Sequence, residues 1–363
     1  MAAPKKPARS ARTSAHDASP NTSEFLALVH AARAFQELAP WEWMRDESLL
    51  GVRALDARET DWCCVLGAAR ELHGLAVYVG GAGYDVHARL QDGELDRDDS
   101  LFEQDARLLS FVPKRMLSQD ERRALDAAGV QFDARIGWPQ FERHHGGTIG
   151  QPLASDEIPL LLAAIEQTID VAQRVRAEPK LLRLNRAKRH LVRVESGTRP
   201  STVWTDERQD APPMPVAVVE PLETARLESV ARRPRAAGSM LQVDVFPMYA
   251  RIGDPELAGK VPAQVLVVDG VSGMVLHVDI TPPDARFART REELVKTLEK
   301  LGELPEVLQV TRPELAAWIE PVAEAIGAQV ELVPFLDVLS EVRESLEEFL
   351  VRGGPKQSGR RQR

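Results

Sequence analysis

Asp61-Trp-Cys-Cys-Val-Leu-Gly67 and Gly74-Leu-Ala-Val-Tyr-Val-Gly-Gly-Ala-Gly-Tyr84 decide how the first half of the chain folds. Each holds an apolar run of strand length, rich in β-branched and aromatic side chains and bounded by glycine or charge. Residues 49–55 read the same way, so three strands follow one another through short connections, as in an antiparallel meander. Gly80-Gly-Ala-Gly83 then turns the chain into a helix predicted over residues 84–90. Upstream, Phe25, Leu28, Val29, Ala32 and Phe35 form one helical stripe over residues 24–38, and Pro40 ends that helix. Downstream, Ser118-Gln-Asp-Glu121 is a capping box, and Gly129 is a natural stop for the helix it opens. Residues 130–135 predict a further strand. Ser155 predicts the cap of a long helix to residue 177, with Leu161, Leu162, Ile165, Ile169 and Ala172 on its buried stripe.

A chain of 363 residues suits two domains better than one. No apolar run approaches the roughly 20 residues of a membrane helix, so no membrane partner is expected. Residues 1–23 contain no signal-peptide core, which points to the cytoplasm. Cys63 and Cys64 are adjacent; neighbours on a strand face opposite ways and suit neither a disulfide nor a shared metal. The net charge of −9 is uneven: residues 1–23 carry +3 and residues 352–363 carry +5, leaving −17 on residues 24–351. Such a body repels phosphate backbones. The two basic tails read as disordered, solvated ends.

The second half announces itself more clearly. Residues 241–247, 264–268 and 274–280 predict strands, the last two joined by the tight hairpin Asp269-Gly-Val-Ser-Gly273. Thr290-Arg-Glu-Glu293 and Thr311-Arg-Pro-Glu314 read as capping boxes opening helices that reach residues 302 and 326. Short strands at 307–310 and 329–333 and a last helix over 336–351 complete the order β-β-β-α-β-α-β-α, whose alternating end implies parallel strands with helices packed on them. Residues 196–239 hold six prolines and many charges and read as a linker. The expected organisation is therefore a basic tail (1–23), an α+β domain with an antiparallel meander (24–195), a linker (196–239), an α/β domain with a mixed sheet (240–351) and a second tail (352–363).

Two resemblances add to this reading. Trp41, Trp43 and Asp46, then Gly74, Leu75, Val77, Tyr78 and Gly80, then Trp138, Pro139 and Phe141 resemble the motif series of an uncharacterised bacterial two-domain family, over roughly residues 24–195 and more loosely beyond. That resemblance implies no activity. In element order only, the second half is similar to the ribonuclease-H-like fold of integrases and transposases. There, carboxylates on the first strand, the fourth strand and a later helix hold two metal ions that cleave phosphodiesters. Asp244 matches the first position, and Glu341, Glu344 or Glu347 would supply the third, but the fourth strand ends in Thr311, which cannot replace a carboxylate ligand.

Other candidates follow from residue type and spacing. Four of the six tryptophans lie between residues 41 and 138. Trp62, Tyr78 and Phe141 read as core. Trp41 and Trp43 alternate with Glu42, so on a strand both rings share one face, which is either core or a binding surface. With Trp138 and with His144, on a glycine-flanked loop able to close over a groove, they are the candidate binding residues. His144 and His145 lack a metal-ligand spacing, and no metal or cofactor is expected. Gly80-Gly-Ala-Gly83 lacks both the dinucleotide and the phosphate-loop pattern. Lys180, Arg183, Arg186, Lys188, Arg189 and Arg193 form the one dense basic patch of the acidic body. The expectation is a non-catalytic protein that binds an unknown protein partner. A metal-dependent nuclease or phosphoryl-transfer enzyme around Asp244, Glu341 and Glu344 is the first alternative. A nucleic-acid binder using Arg186, Arg189 and the tails is the second.

Overall fold

The computed structural model describes residues 23–351 except 70, 96, 149, 214–218, 220, 222–223, 250–256 and 258. Apart from Ser23, which begins the first helix, both predicted basic tails lie outside the described residues. The chain divides into two compact units, one drawn from residues 23–94, 104–145 and 150–213, the other from 95–103, 146–148 and 219–351.

The first unit is built on an eight-stranded sheet. Helix α1 (Ser23–Leu38) leads to β1 (Leu49–Arg53), β2 (Asp61–Leu66), β3 (His73–Tyr78) and α2 (Gly80–Gln91). After α3 (Arg97–Glu103), which belongs to the second unit, come β4 (Asp105–Val112), α4 (Gln119–Ala128), β5 (Trp138–His145), β6 (Gln151–Pro152), α5 (Ile158–Ala177), β7 (His190–Thr198) and β8 (Ser201–Gln209). The sheet order is β6-β5-β4-β3-β2-β1-β7-β8, antiparallel except where β7 runs parallel to β1. Alternation along each strand fixes which side chains meet which layer. Leu50, Cys63, Val65, Leu75, Val77 and Leu109 bury against Leu28 and Phe35 of α1 and Leu161 and Ile165 of α5. Each fully buried side chain of this size contributes about 1.5–3 kcal/mol. Trp62, Cys64 and Tyr78 bury on the opposite face, the one α2 packs on. Gly83 lets the helix come close: a Cβ there would lie 2.8 Å from the Tyr78 carbonyl carbon. Cys63 thus enters the α1–α5 core, while the Cys64 thiol donates to the Asp46 carbonyl at 3.1 Å.

The second unit holds α6 (Thr224–Val230), β9 (Met240–Pro247), β10 (Ala263–Asp269), β11 (Val275–Thr281), α7 (Arg286–Lys300), β12 (Val307–Val310), α8 (Pro313–Ile326), β13 (Gln329–Leu332) and α9 (Asp337–Val351). Its sheet order is β11-β10-β9-β12-β13; β9 to β11 are antiparallel, and β12 runs parallel to both β9 and β13. Leu241, Val243 and Val245 pack under Leu227 and Val230 of α6, Leu294 and Leu298 of α7 and Ile319 of α8. Phe246, Leu266 and Val268 meet Leu339 and its neighbours in and before α9. Asp269 holds the β10–β11 turn by accepting from the backbone of Val271 (3.0 Å) and Ser272 (2.7 Å), which lowers its pKa.

Several expectations fail for identifiable reasons. The capping box at Ser118 forms, with Glu121 N donating to Ser118 Oγ at 3.2 Å and Ser118 N to Glu121 Oε2 at 2.6 Å, but its two look-alikes do not. Thr290 is buried inside α7, which starts earlier at a Pro283 turn, and its hydroxyl donates back to the Arg286 carbonyl at 2.7 Å. α8 starts at Pro313, two residues past Thr311; Arg312 is the N-cap and Pro313 presets the first helical φ. Ser155 lies in a turn, and Glu157 is the N-cap of α5. α2 begins at Gly80 rather than Tyr84. Residues 130–135 form no strand: the buried Gln36 side chain accepts from Asp133 N at 2.8 Å and donates to the Gly137 carbonyl at 2.8 Å, and the strand follows as β5. Residues 97–117, given no element by the sequence reading, hold α3 and β4. Within the predicted linker, the residues through 209 complete β7 and make β8, and residues 224–230 make α6.

The second unit includes α3, so a fragment of residues 219–363 lacks the Asp98 and Asp99 carboxylates that meet Arg343 and Arg312. We expect this fragment to lose its cooperative thermal transition, followed by near-ultraviolet circular dichroism, while the full chain keeps it.

Candidate functional site

The aromatic residues do not gather around one opening. Residues Pro40–Glu42 form a 3₁₀ turn, not a strand, so Trp41 and Trp43 do not share a strand face. Trp41 is 6% exposed and packs on Phe35 (5.9 Å between centroids), Phe111 (5.9 Å) and His73 (4.7 Å). Trp43 donates to the Ala172 carbonyl at 3.0 Å and lies under the Arg176 guanidinium. Trp138 packs beside α4, with Lys114 Nζ 5.9 Å from its ring. It begins the strand that His144 nearly ends, about 20 Å away at strand rise. His144 faces Glu142 at 3.3 Å and His145 faces Asp105 at 3.3 Å, so the two imidazoles turn to different carboxylates. The glycines that follow are tied down: Gly147 N donates to the Leu101 carbonyl at 2.9 Å and its own carbonyl accepts from Val261 N at 2.7 Å.

The α2 N-terminus already holds the chain's own anions. Gly81 N donates to Glu59 Oε2 at 2.9 Å, and the Gly80 amide donates to Asp61. Burial raises the Asp61 pKa despite the Arg107 guanidinium 2.8 Å away. Arg107 continues a row of ion pairs to Glu157 (3.4 Å), which also takes Arg143 Nε at 2.6 Å; Arg143 in turn meets Asp105. In the basic segment, Arg189 pairs with Asp210 at 2.9 Å and Arg193 with Asp206 at 2.7 Å, whereas Lys180, Arg183, Arg186 and Lys188 are exposed on the loop before β7.

Asp244 sits on β9, buried. Its carboxylate accepts from Val245 N at 2.8 Å and is gripped by the Arg312 guanidinium, whose Nε contacts Asp99 at 2.5 Å. On α9, Glu341 and Glu344 are exposed, while Arg343 between them turns inward to Asp98 at 2.9 Å and lies over the Phe246 ring at 4.2 Å. Among the described residues, one group of His, Cys, Asp and Glu has its ligand atoms within 4.8 Å of one another, and it is His277, Asp279 and Glu293, not Asp244 with Glu341 and Glu344. The sequence reading missed this trio because its members lie on β11 and α7, two and then fourteen residues apart, with no ligand spacing to find.

With the fold and these clusters in view, the chain holds an α+β unit on a largely antiparallel sheet and a second unit on a separate mixed sheet with helices. Residues 26–193 match the model of a domain of unknown function, DUF7309, and residues 226–347 match that of a second domain of unknown function, DUF6930. Neither a curated protein nor a solved structure matches the chain. Among the described residues, no helix is long and apolar enough to cross a membrane.

Arg312→Ala leaves Asp244 buried without its guanidinium, and we expect a loss of about 3–5 kcal/mol in urea denaturation. The double variant Asp244→Leu, Arg312→Met recovers much of it, because the Asp244 charge leaves with its partner and Asp99, which also loses the guanidinium, is partly exposed to water. A second prediction concerns His87 and His190, whose pKa values burial lowers below the ordinary 6.5. The unfolded chain takes up protons there before the folded one does. Stability is therefore full above pH 6.5 and falls as acidification proceeds toward the depressed folded values. Thermal midpoints measured from pH 7.5 to 5.5 test this, and His190→Gln flattens the slope.

Proposed function

We propose that the protein works by binding a protein partner through the β11 edge of its second unit, not by metal-dependent phosphoryl transfer at Asp244. One observation carries this reading. Val271, Met274, Val275, Val278 and Ile280, along β11 and the turn before it, are 70%, 58%, 40%, 42% and 39% exposed. β11 is the last strand of the described sheet on that side, so its outer backbone groups face away from β10. Soluble proteins usually blunt such an edge with charge or proline. An edge strand whose exposed side chains include Val275, Val278 and Ile280, although His277 and Asp279 lie between them, suits an added strand from a partner, with main-chain hydrogen bonds for affinity and side-chain contacts for selectivity. The strand order, with β12 parallel to β9, supports a ribonuclease-H-like reading of this sheet. The Arg312 guanidinium on Asp244 supports a non-catalytic one, because it supplies the positive charge that a metal ion would bring.

A second reading rests on the four exposed cations around Arg186: binding of a phosphate backbone, weakened by the acidic body. Affinity capture from the native host lysate separates these accounts. We expect one stoichiometric protein partner, lost with Val278→Glu, Ile280→Glu while the circular dichroism spectrum is unchanged. Equal recovery by that variant sinks the edge reading, and salt-sensitive heparin retention abolished by Arg186→Glu, Lys188→Glu favours the second. Cleavage of DNA or RNA with Mg²⁺ or Mn²⁺ that vanishes on Asp244→Asn overturns the non-catalytic assignment.

A further inference from the structure

His277 and Asp279 alternate with Val278 on β11 and so share a face of the strand, and α7 lays Glu293 against that face. His277 Nε2 lies 2.9 Å from Glu293 Oε2, is sealed from solvent, and has no aligned hydrogen bond. The imidazole nitrogen and the carboxylate oxygen thus point at one another with no aligned hydrogen bond between them, an arrangement open to two donors sharing one cation. The neighbouring basic side chains take other oxygens. Arg289 Nε contacts Asp279 Oδ2 at 2.7 Å, and its terminal nitrogen meets Glu293 Oε1 at 3.1 Å. Lys296 Nζ reaches the same Oε1 at 2.8 Å. Each carboxylate is thus steadied through one oxygen, as outer partners steady metal ligands, while Glu293 Oε2 faces the imidazole.

We propose that His277, Asp279 and Glu293 bind a divalent transition-metal ion. One imidazole nitrogen and two carboxylate oxygens are a zinc-type donor set, and three protein ligands leave a fourth tetrahedral position open. The imidazole disfavours calcium and magnesium, which take oxygen ligands. The Glu293 side chain is 4% exposed, but those of His277 and Asp279 are 19% and 26% exposed, so an ion has a route in. The competing account is an ion-pair network in which Arg289, Lys296 and the imidazolium of His277 offset the carboxylates, and it predicts no zinc at this site.

The test uses the full chain, stripped with a chelator and titrated with zinc chloride by calorimetry. We expect one equivalent to bind and to raise the thermal midpoint in step with free zinc. His277→Ala and Asp279→Asn weaken this binding by at least about tenfold, the loss that even an outer-shell substitution brings. If His277→Ala does not fold, the more exposed Asp279→Asn decides the matter alone. Cobalt substitution reads the donors directly: visible bands without a thiolate charge-transfer band fit this site. Failure of the wild-type chain to bind zinc at large molar excess overturns the proposal. So does unchanged stoichiometry and affinity in the variants, which assigns the zinc to another place such as His144 or His145.

Discussion

The guanidinium of Arg312 is the buried charge on which the second unit is organised. Taking such a group out of water costs several kcal/mol, recovered only when fixed acceptors surround it. Asp244 and Asp99 provide them, one from the strand beside β12 and one from a short helix more than a hundred residues earlier. A single side chain therefore ties together the end of β12, the middle of β9 and α3. Asp98, next to Asp99, does the same for α9 through Arg343. These pairs make α3, which is only seven residues long, a working part of a sheet whose strands all come from the other half of the chain. They also give Asp244 a partner of the opposite sign.

What the sequence revealed and what it hid follow from burial. β2, β3, β9 and β10 bury nearly every residue, so their apolar runs are unbroken and legible. β4 buries Arg107 and Ser110 among its apolar residues, and those polar positions break the pattern. β8 has no buried residue, so its charges and the proline before it resemble a linker. Capping boxes were legible only where a loop precedes the helix: the same residues at Thr290 sit in its interior, and those at Thr311 give way to a proline start. Asp244 stands out in the sequence as an acid within an apolar strand. Its partner is 68 residues away, a separation that no local pattern encodes.

Carboxylates far outnumber cations in the folded body, yet many of them have internal work. Asp61, Asp105 and Glu157 share Arg107 and Arg143, and Glu59 and Asp61 occupy the amides that open α2. A glycine-rich strand-to-helix turn that could have received a phosphate is thus closed by the chain's own acids. The exposed positive charge lies instead on the loop before β7, where Arg186 and Lys188 have no such role.

The two adjacent cysteines also have a practical consequence. Each thiol is buried, on opposite faces of the first sheet, and burial pushes the Cys64 pKa up to about 12 and that of Cys63 upward as well. Thiolate is the reactive form, so neither sulfur competes for maleimides or mild oxidants at neutral pH. The native surface is in effect a blank background for thiol chemistry. A single cysteine introduced anywhere on it would carry a fluorophore or spin label without first stripping the natural pair from the core.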